Sequence, residues 1–375
     1  MTVKTMNPIK NYKTGVLYRN PRPHVQSIHA YFPSVAVLSD GSMVATVVLG
    51  QAFESADLNT YLFRSNDNGE TWRNEGSIFI DSSNSHSNCA RLTALRDDSL
   101  VIFMIRHDRT AHLNEGLTNE KTLGFVPTEL LLLRSKNKGK QWTTPQRINP
   151  PLIGPAFEMC CPVTILSDGR WIIPTQTWPG WDGDCPNGIR MIAIISNDQG
   201  QTWSQYIDVM NEPKGKTFFW ESKISELPDG RLIATAWAYD DITKCDMPNQ
   251  YSLSADGGRT WSQPASTGLM GQTLTPLILN DGRVLCIYRR IDKPGLWANV
   301  SQLKGSKWIN EAELPLWGHQ SSGLTDSTEN MSHNFNVLRF GAPCITYMKD
   351  GIIFVSFWCY EDCVSNIRWF KLKIE

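Results

Sequence analysis

The sequence lacks an excess of charge of either sign. Its 375 residues include 36 Lys and Arg against 37 Asp and Glu, which gives a formal net charge of −1. Such a balance excludes the broad basic surface with which proteins attract nucleic acid or anionic membranes. No apolar run approaches the roughly 20 residues of a membrane-spanning helix. We therefore expect neither nucleic acid nor a membrane as a partner.

The N-terminal segment Met1–Lys10 lacks the apolar stretch of a secretory signal peptide. If Met1 is the natural start, the protein is expected to be cytoplasmic. If a signal has been removed, it is expected to be secreted or periplasmic.

The cysteines show no paired spacing, and their number, nine, is odd. We expect small buried thiols, with a Cys359–Cys363 disulfide as the alternative. Because no CxxC motif has a matching second pair, we predict neither a metal site nor a cofactor.

Two β-prone segments joined by an Asp-Gly turn recur along the chain. This combination is a strong hairpin signal. The copies are centred on Asp40, Asp98 (with Ser in place of Gly), Asp168, Asp229, Asp281 and Asp350.

A second motif, Ser-x-Asp-x-Gly-x-Thr-Trp (the Asp-box), follows in most copies. Its Asp suits bonding to turn amides, and its Gly suits a positive φ angle. We therefore interpret these Asp residues as structural and exclude them from the site. The copies are residues 65–72, 135–142, 196–203 and 254–261, with a remnant at 305–308.

Each repeat supplies four strands, which is one blade of a β-propeller, and a spacing of roughly 50–70 residues fits such units. The repeats predict an all-β, six-bladed propeller formed by one domain, residues 1–375. The last repeat lacks one strand. We expect residues 14–19 to complete that blade and close the ring.

The long polar loops lie at the end of the propeller opposite the Asp-boxes, where sites usually occur. Residues just before each innermost strand are expected to face the axis. Carboxylates, arginines and indoles gathered at one mouth suit sugar binding. The predicted substrate-binding residues are His29, Arg91, Arg106, Trp178, Asp182, Trp220, Trp237, Asp240, Arg289 and His333.

The Asp-boxes and six repeats resemble the sialidase superfamily over essentially the whole chain. In that family three Arg hold the substrate carboxylate, a Tyr assisted by a Glu attacks, and an Asp protonates. Here Glu221 matches the Glu, but the Arg positions correspond to Ala30–Pro33, Trp237 and Trp297–Asn299, and Gly341–Cys344 replaces the Tyr. The resemblance therefore implies the scaffold without ordinary sialidase activity.

One carboxylate pair remains, Glu158 and Glu221, which we place at the same position in neighbouring blades. Two carboxylates on either side of a glycosidic bond are the minimum for hydrolysis. Propeller exo-arabinanases related to sialidases are similar in placing two Glu on successive blades. Glu54 or Asp57, near the position of the sialidase acid, is a rival proton donor to this pair, and we include Asp57 among the predicted catalytic residues.

These residues predict a glycoside hydrolase that acts on an oligo- or polysaccharide other than a standard sialoside. One alternative is a polysaccharide lyase that uses a His or Tyr base on a uronic-acid sugar whose charge an Arg or a metal neutralises. The candidate bases near Arg106 and Arg109 are His24, His29, His86 and His107. The other is a propeller that binds carbohydrate without turnover. The sugar, the linkage and the oligomeric state stay open.

Overall fold

A computed structural model describes residues 7–79, 85–159, 161–211, 216–321 and 337–375. Nearly all of the regular structure in these ranges is β-strand. The strands are β1 (Ile9–Tyr18), β2 (His29–Val37), β3 (Met43–Gly50), β4 (Asn59–Ser65), β5 (Arg73–Ser77), β6 (His86–Ala94), β7 (Leu100–Asp108), β8 (Thr128–Ser135), β9 (Gln146–Ile148), β10 (Ala156–Phe157), β11 (Thr164–Ile165), β12 (Trp171–Trp178), β13 (Met191–Ser196), β14 (Gln205–Met210), β15 (Thr217–Glu226), β16 (Leu232–Asp240), β17 (Cys245–Ser254), β18 (Ala265–Ile278), β19 (Val284–Arg290), β20 (Leu296–Lys304), β21 (Lys307–Trp317), β22 (Phe340–Tyr347), β23 (Ile353–Glu361) and β24 (Val364–Ile374).

The strands form antiparallel sheets in which chain neighbours pair. The orders are β2-β3-β4-β5, β6-β7-β8-β9, β10-β12-β13-β14 with β11 also on β12, β15 through β21 in one sheet, and β1-β24-β23-β22. The first strands of successive sheets lie against one another, for example β2 against β6 and β22. This arrangement confirms the prediction of an all-β propeller.

The hydrogen-bonded sheets of the described residues number five rather than the predicted six. The reason is β18, a strand of 14 residues. Its first part pairs with β17 through Ala265–Met270, and its second part pairs with β19 through Gly271–Ile278. One continuous strand therefore joins two four-stranded units into a seven-stranded sheet.

The N-terminal strand pairs with the C-terminal one, since β1 runs antiparallel to β24 from Ile9↔Ile374 to Tyr18↔Ile367. The pairing strand begins earlier than the predicted residues 14–19. Within it, Gly15 lies against the Trp369 ring, where a Cβ atom would come within 2.3 Å of a ring carbon. A larger residue therefore has no room at this position.

The Asp-box turns have the structural role that the sequence predicts. In the first, Ser65 Oγ accepts the Gly69 amide at 2.8 Å, and Asp67 accepts the Thr71 hydroxyl at 2.6 Å. The latter bond is the main reason that the pKa of Asp67 falls to about 2. Trp72 Nε1 donates to the Gly69 carbonyl at 2.9 Å, which closes the turn.

Four innermost strands carry a β-bulge at the same place. The registers of β2, β15, β18 and β22 each shift by one residue. Each bulge contains a non-glycine residue with positive φ: Phe32 (51°), Glu221 (52°), Thr273 (54°) and Ala342 (47°). Such angles are unfavourable for side-chain-bearing residues. The bulges surround the propeller axis and shape the site described below.

Two further observations concern the sequence predictions. Cys359 and Cys363 are both free thiols, so the alternative of a disulfide between them is wrong. Within the described ranges, no helix has the length and apolar character that a membrane crossing requires.

Candidate functional site

The larger of two cavities at the propeller centre has a volume of about 530 Å³. It is lined by residues of β2, β6, β11, β15, β18 and β22, so it lies where the first strands of the sheets meet. The smaller cavity has a volume of about 110 Å³. The two share the lining residues Phe32, Phe53, Phe125, Glu158, Glu221, Thr273 and Ala342.

The predicted carboxylate pair lies together at the junction of the two cavities. Glu158 Oε2 accepts a hydrogen bond from the Glu221 backbone amide at 3.2 Å. Their positions are not equivalent, however, which corrects the sequence analysis. Glu221 lies six residues before the turn residue Leu227, whereas Glu158 lies eight before Leu166, in the gap between β10 and β11.

Two cations also line the larger cavity, Lys223 of β15 and Arg91 of β6. Lys223 Nζ donates to the Glu221 carbonyl at 2.8 Å and lies 4.0 Å from Glu221 Oε2. Arg91 Nη1 donates to the Phe32 carbonyl at 2.9 Å. Both side chains are largely buried. Their charges lie among the glutamates and compensate them.

Glu54, rather than Asp57, lines the larger cavity, together with Glu158, Glu221 and Glu226. Its Oε1 accepts the Thr118 hydroxyl at 2.9 Å. Burial raises the pKa of Glu54, although the bonds from Thr118 and the charge of Arg109 oppose that rise. Asp57 is exposed outside both cavities, and its carboxylate accepts the Gln51 amide at 3.1 Å within the β3–β4 loop.

A fully buried arginine holds the loop that covers Glu54. Arg109 donates to the carbonyls of Glu54 at 2.9 Å and Glu115 at 2.5 Å. This arrangement fixes the β7–β8 loop, which contributes Leu117, Thr118 and Phe125 to the cavity wall.

Aromatic rings form much of the wall of the smaller cavity. Trp178, Trp220 and Trp237 pack in one cluster, with ring centroids of Trp220 and Trp237 4.5 Å apart. Trp178 Nε1 donates to the Leu123 carbonyl at 2.7 Å. These predicted residues do meet at the site, and flat apolar rings are the surfaces on which sugar faces pack.

A buried polar chain supports this wall from behind. Trp237 Nε1 donates to Asp246 Oδ1 at 2.5 Å, and Asp246 Oδ2 accepts from Gln272 at 2.9 Å. Arg289 Nε donates to Gln272 Oε1 at 3.0 Å. Burial raises the pKa of Asp246 and lowers that of Arg289 to about 10. The chain fixes Trp237 and Arg289 in place.

Four of the predicted binding residues that the structure describes do not line either cavity: His29, Arg106, Asp182 and Asp240. His29 Nδ1 accepts the Ser365 amide at 3.1 Å, and burial lowers its pKa. Arg106 forms an ion pair with Glu129 at 2.5 Å.

Two predicted carboxylates lie in the outer loops, and one predicted residue is not described. Asp240 accepts the Ile242 amide at 2.8 Å as part of the β16–β17 turn. Asp182 is an exposed residue of the β12–β13 loop. His333 lies outside the described residues.

Sequence reasoning did not assign Lys223, Asp246, Gln272 or Thr273 to the binding set. Lys223 carried a usable signal, because residues two apart on a strand face the same side and Glu221 was already placed there. Asp246 and Gln272 carried none, since their contacts join β17 to β18. Among the described residues, no group of three or more His, Cys, Asp or Glu is arranged to hold a metal ion.

The geometry defines a propeller protein with a glutamate-lined axial cavity. The family description "BNR repeat-like domain" matches residues 92–314, which is more than half of the sequence. The chain therefore belongs to the BNR repeat-like domain family. No curated protein sequence matches it.

Solved structures are similar over nearly the whole chain. A protein of unknown function from Dyadobacter fermentans is 21% identical, with a TM-score of 0.73, over 98% of this chain and 100% of that one. The NanB sialidase of Streptococcus pneumoniae is 13% identical (TM-score 0.66; 100% and 72% of the two chains). The intramolecular trans-sialidase of Ruminococcus gnavus is 14% identical (0.60; 92% and 94%). These likenesses establish a sialidase-like β-propeller fold.

Proposed function

We propose that this protein is a glycosidase that acts on a carbohydrate other than a standard sialoside. The observation that carries the proposal is the convergence of Glu158 and Glu221 on one cavity, with Glu158 Oε2 3.2 Å from the Glu221 amide nitrogen. Paired carboxylates in an enclosed, aromatic-walled cleft supply the acid and the base or nucleophile of glycoside hydrolysis.

The environments of the glutamates suggest separate roles. Burial raises the pKa of Glu54, which favours its protonated form, so we assign Glu54 as proton donor. Glu221 Oε2 lies 4.0 Å from Lys223 Nζ, and this ion pair holds the carboxylate at the cavity. We assign Glu221 as the nucleophile or water activator, with Glu158 supporting it through the Glu221 amide.

The arginines of the site argue for a substrate other than a sialoside. Trp237 stands where the sialidase resemblance requires an Arg, and it lines the smaller cavity. Arg289 is engaged by Gln272 and by the Phe340 carbonyl at 2.9 Å. The resemblance to sialidases thus extends to the scaffold and to Glu221.

We also interpret the seven-stranded sheet as two blades that share β18, because that strand changes partner between Met270 and Gly271. On this interpretation the propeller has six blades, and β1 closes the ring.

The proposal is tested by screening nitrophenyl glycosides and plant or host oligosaccharides, then comparing Glu221→Gln with wild type. The variant keeps the shape of the side chain and removes its charge, so we expect turnover to fall by about 10²–10⁴-fold with folding intact. Glu115→Gln, a loop carboxylate outside both cavities, is the matched control and should retain activity.

Undiminished turnover by Glu221→Gln would remove the assigned mechanism. Unsaturated products that absorb in the ultraviolet would instead identify a lyase. Sugar binding without any product over long incubation would identify a binding protein. Comparing Glu54→Gln with Asp57→Asn distinguishes the two predicted proton donors, and only the former is expected to lose activity.

A further inference from the structure

We infer that the site takes an uncharged sugar, part of which occupies the smaller cavity and hydrogen-bonds Thr273 and Trp220. The inference rests on the proposed carbohydrate site and names its substrate class. It follows from how the charges of the site are arranged and from two buried polar atoms.

The charges around the cavities balance one another. The cavities are lined by the carboxylates Glu54, Glu158, Glu221 and Glu226 and by the cations Arg91, Lys223 and Arg289. Burial raises the pKa of Glu54, which favours its protonated form, so three carboxylates remain against three cations. His107, which also lines the larger cavity, is buried, and its pKa falls to about 3, which keeps the ring neutral. Such a site offers no net attraction to a substrate of either sign.

The cations are also placed away from the smaller cavity or held by protein atoms. Lys223 lines only the larger cavity, and its Nζ is held by the Glu221 carbonyl at 2.8 Å and lies 4.0 Å from Glu221 Oε2. Arg289 reaches the smaller cavity but is buried and donates to Gln272 and Phe340. A substrate carboxylate in the smaller cavity would therefore meet Glu158 and Glu221 without a cation available to it.

Two buried, uncharged polar atoms instead belong to residues that line the smaller cavity. Thr273 Oγ1 and Trp220 Nε1 are buried and have no hydrogen-bond partner among the described residues. Both residues line this cavity, and both are at least nine-tenths buried. Buried polar groups are normally satisfied, so a hydroxyl and an indole N–H left open in an aromatic cavity fit a ligand with neutral hydroxyl groups.

The ligand test uses the full chain and three classes of oligosaccharide. Neutral arabinan, xylan and galactan fragments are compared with oligogalacturonides and with chitosan fragments by calorimetry. We expect binding by at least one neutral class, with an affinity that does not change as salt is raised. Preferred binding of the acidic or the amino oligosaccharides would overturn the inference, and so would the absence of binding by all three classes.

The variant test uses Thr273→Val against Thr235→Val. Both replacements remove a buried hydroxyl without a described partner and keep the branched shape, but Thr235 lies outside both cavities. We expect Thr273→Val to weaken binding of the neutral oligosaccharide about threefold to tenfold, as the loss of one hydrogen bond predicts, and Thr235→Val to leave it unchanged. Equal effects of the two variants, at matched unfolding midpoints, would contradict the assignment.

The outcomes separate this inference from the proposed function. Hydrolysis that prefers acidic glycosides would leave the glycosidase proposal standing and overturn the neutral-sugar inference. Binding of a neutral sugar that depends on Thr273, without turnover, would do the reverse.

Discussion

Gly69 and Gly230 provide a matched pair for measuring how tightly the Asp-box turns pack between sheets. Both have a φ of +82°, so alanine at either position introduces the same backbone strain. A Cβ at Gly69 would lie 2.8 Å from the Phe354 ring and 3.1 Å from Met43 Sδ. A Cβ at Gly230 would meet no atom within 4 Å.

The expected losses in the free energy of unfolding follow from these contacts. The left-handed backbone conformation costs alanine about 1–2 kcal/mol, which both variants bear. Gly69→Ala also overpacks against Phe354, which is fully buried in the neighbouring sheet and cannot move aside, at about 1–3 kcal/mol. We therefore expect Gly69→Ala to lose about 2–5 kcal/mol and Gly230→Ala only the strain.

Urea unfolding followed by tryptophan fluorescence measures both variants. The difference should appear in the transition midpoints, with unchanged dependence on denaturant. Equal midpoints for Gly69→Ala and Gly230→Ala would refute the reasoning, because backbone strain alone would then account for the stability that Gly69→Ala loses.

Two further predictions concern the site and the N-terminal strand. Burial raises the pKa of Glu54, so the folded state binds the Glu54 proton more tightly than the unfolded state, and the associated stability is lost as pH rises through the folded pKa. Glu54→Gln should therefore gain stability relative to wild type as pH rises. Parallel profiles of unfolding free energy against pH for the two proteins would contradict this. Gly15→Val should separate β1 from Trp369 and speed limited proteolysis near the N-terminus. Val16→Thr, at an exposed position, should not. If Gly15→Val resists proteolysis as wild type does, the close packing of Gly15 against Trp369 is disproved.

The repeats were predictable from the sequence because their determinants are local. An Asp-box needs only a few consecutive residues: Ser65 and Asp67 bond the amides of Gly69 and Thr71 within the same turn. Strand number and blade order follow from counting such turns. The joining of two four-stranded units through β18 was not predictable. The strand changes its pairing partner at Gly271 without any interruption in the run of β-forming residues.

The site was predictable only in part, because its geometry depends on the exact height of each residue along the axis. Glu158 and Glu221 were placed at equivalent positions, yet they lie eight and six residues before the matching turn residues Leu166 and Leu227, and the Glu158 carboxylate accepts a hydrogen bond from the Glu221 amide. The position of Glu54 at the larger cavity depends on its hydrogen bond from Thr118, which lies 64 residues away in the chain. Contacts at such separation cannot be deduced from local sequence pattern.

The bulges explain how the smaller cavity arises. In a regular strand, consecutive side chains face opposite sides, so two neighbouring side chains do not both point into one small cavity. A bulge suspends this alternation, and consecutive residues of three bulged strands line the smaller cavity: Trp220–Glu221, Gln272–Thr273 and Gly341–Ala342.

Sheet formation does not require these bulges, since β6 pairs with β7 from His86 to Ala94 without a register shift. Each non-glycine residue with positive φ costs about 1–3 kcal/mol, and such strain persists where the surrounding structure over-determines it, commonly at functional sites. The bulges therefore bring Glu221 and Thr273 into one small cavity at a cost that the propeller fold alone does not demand. That cost is a physical reason for proposing a ligand site at this cavity.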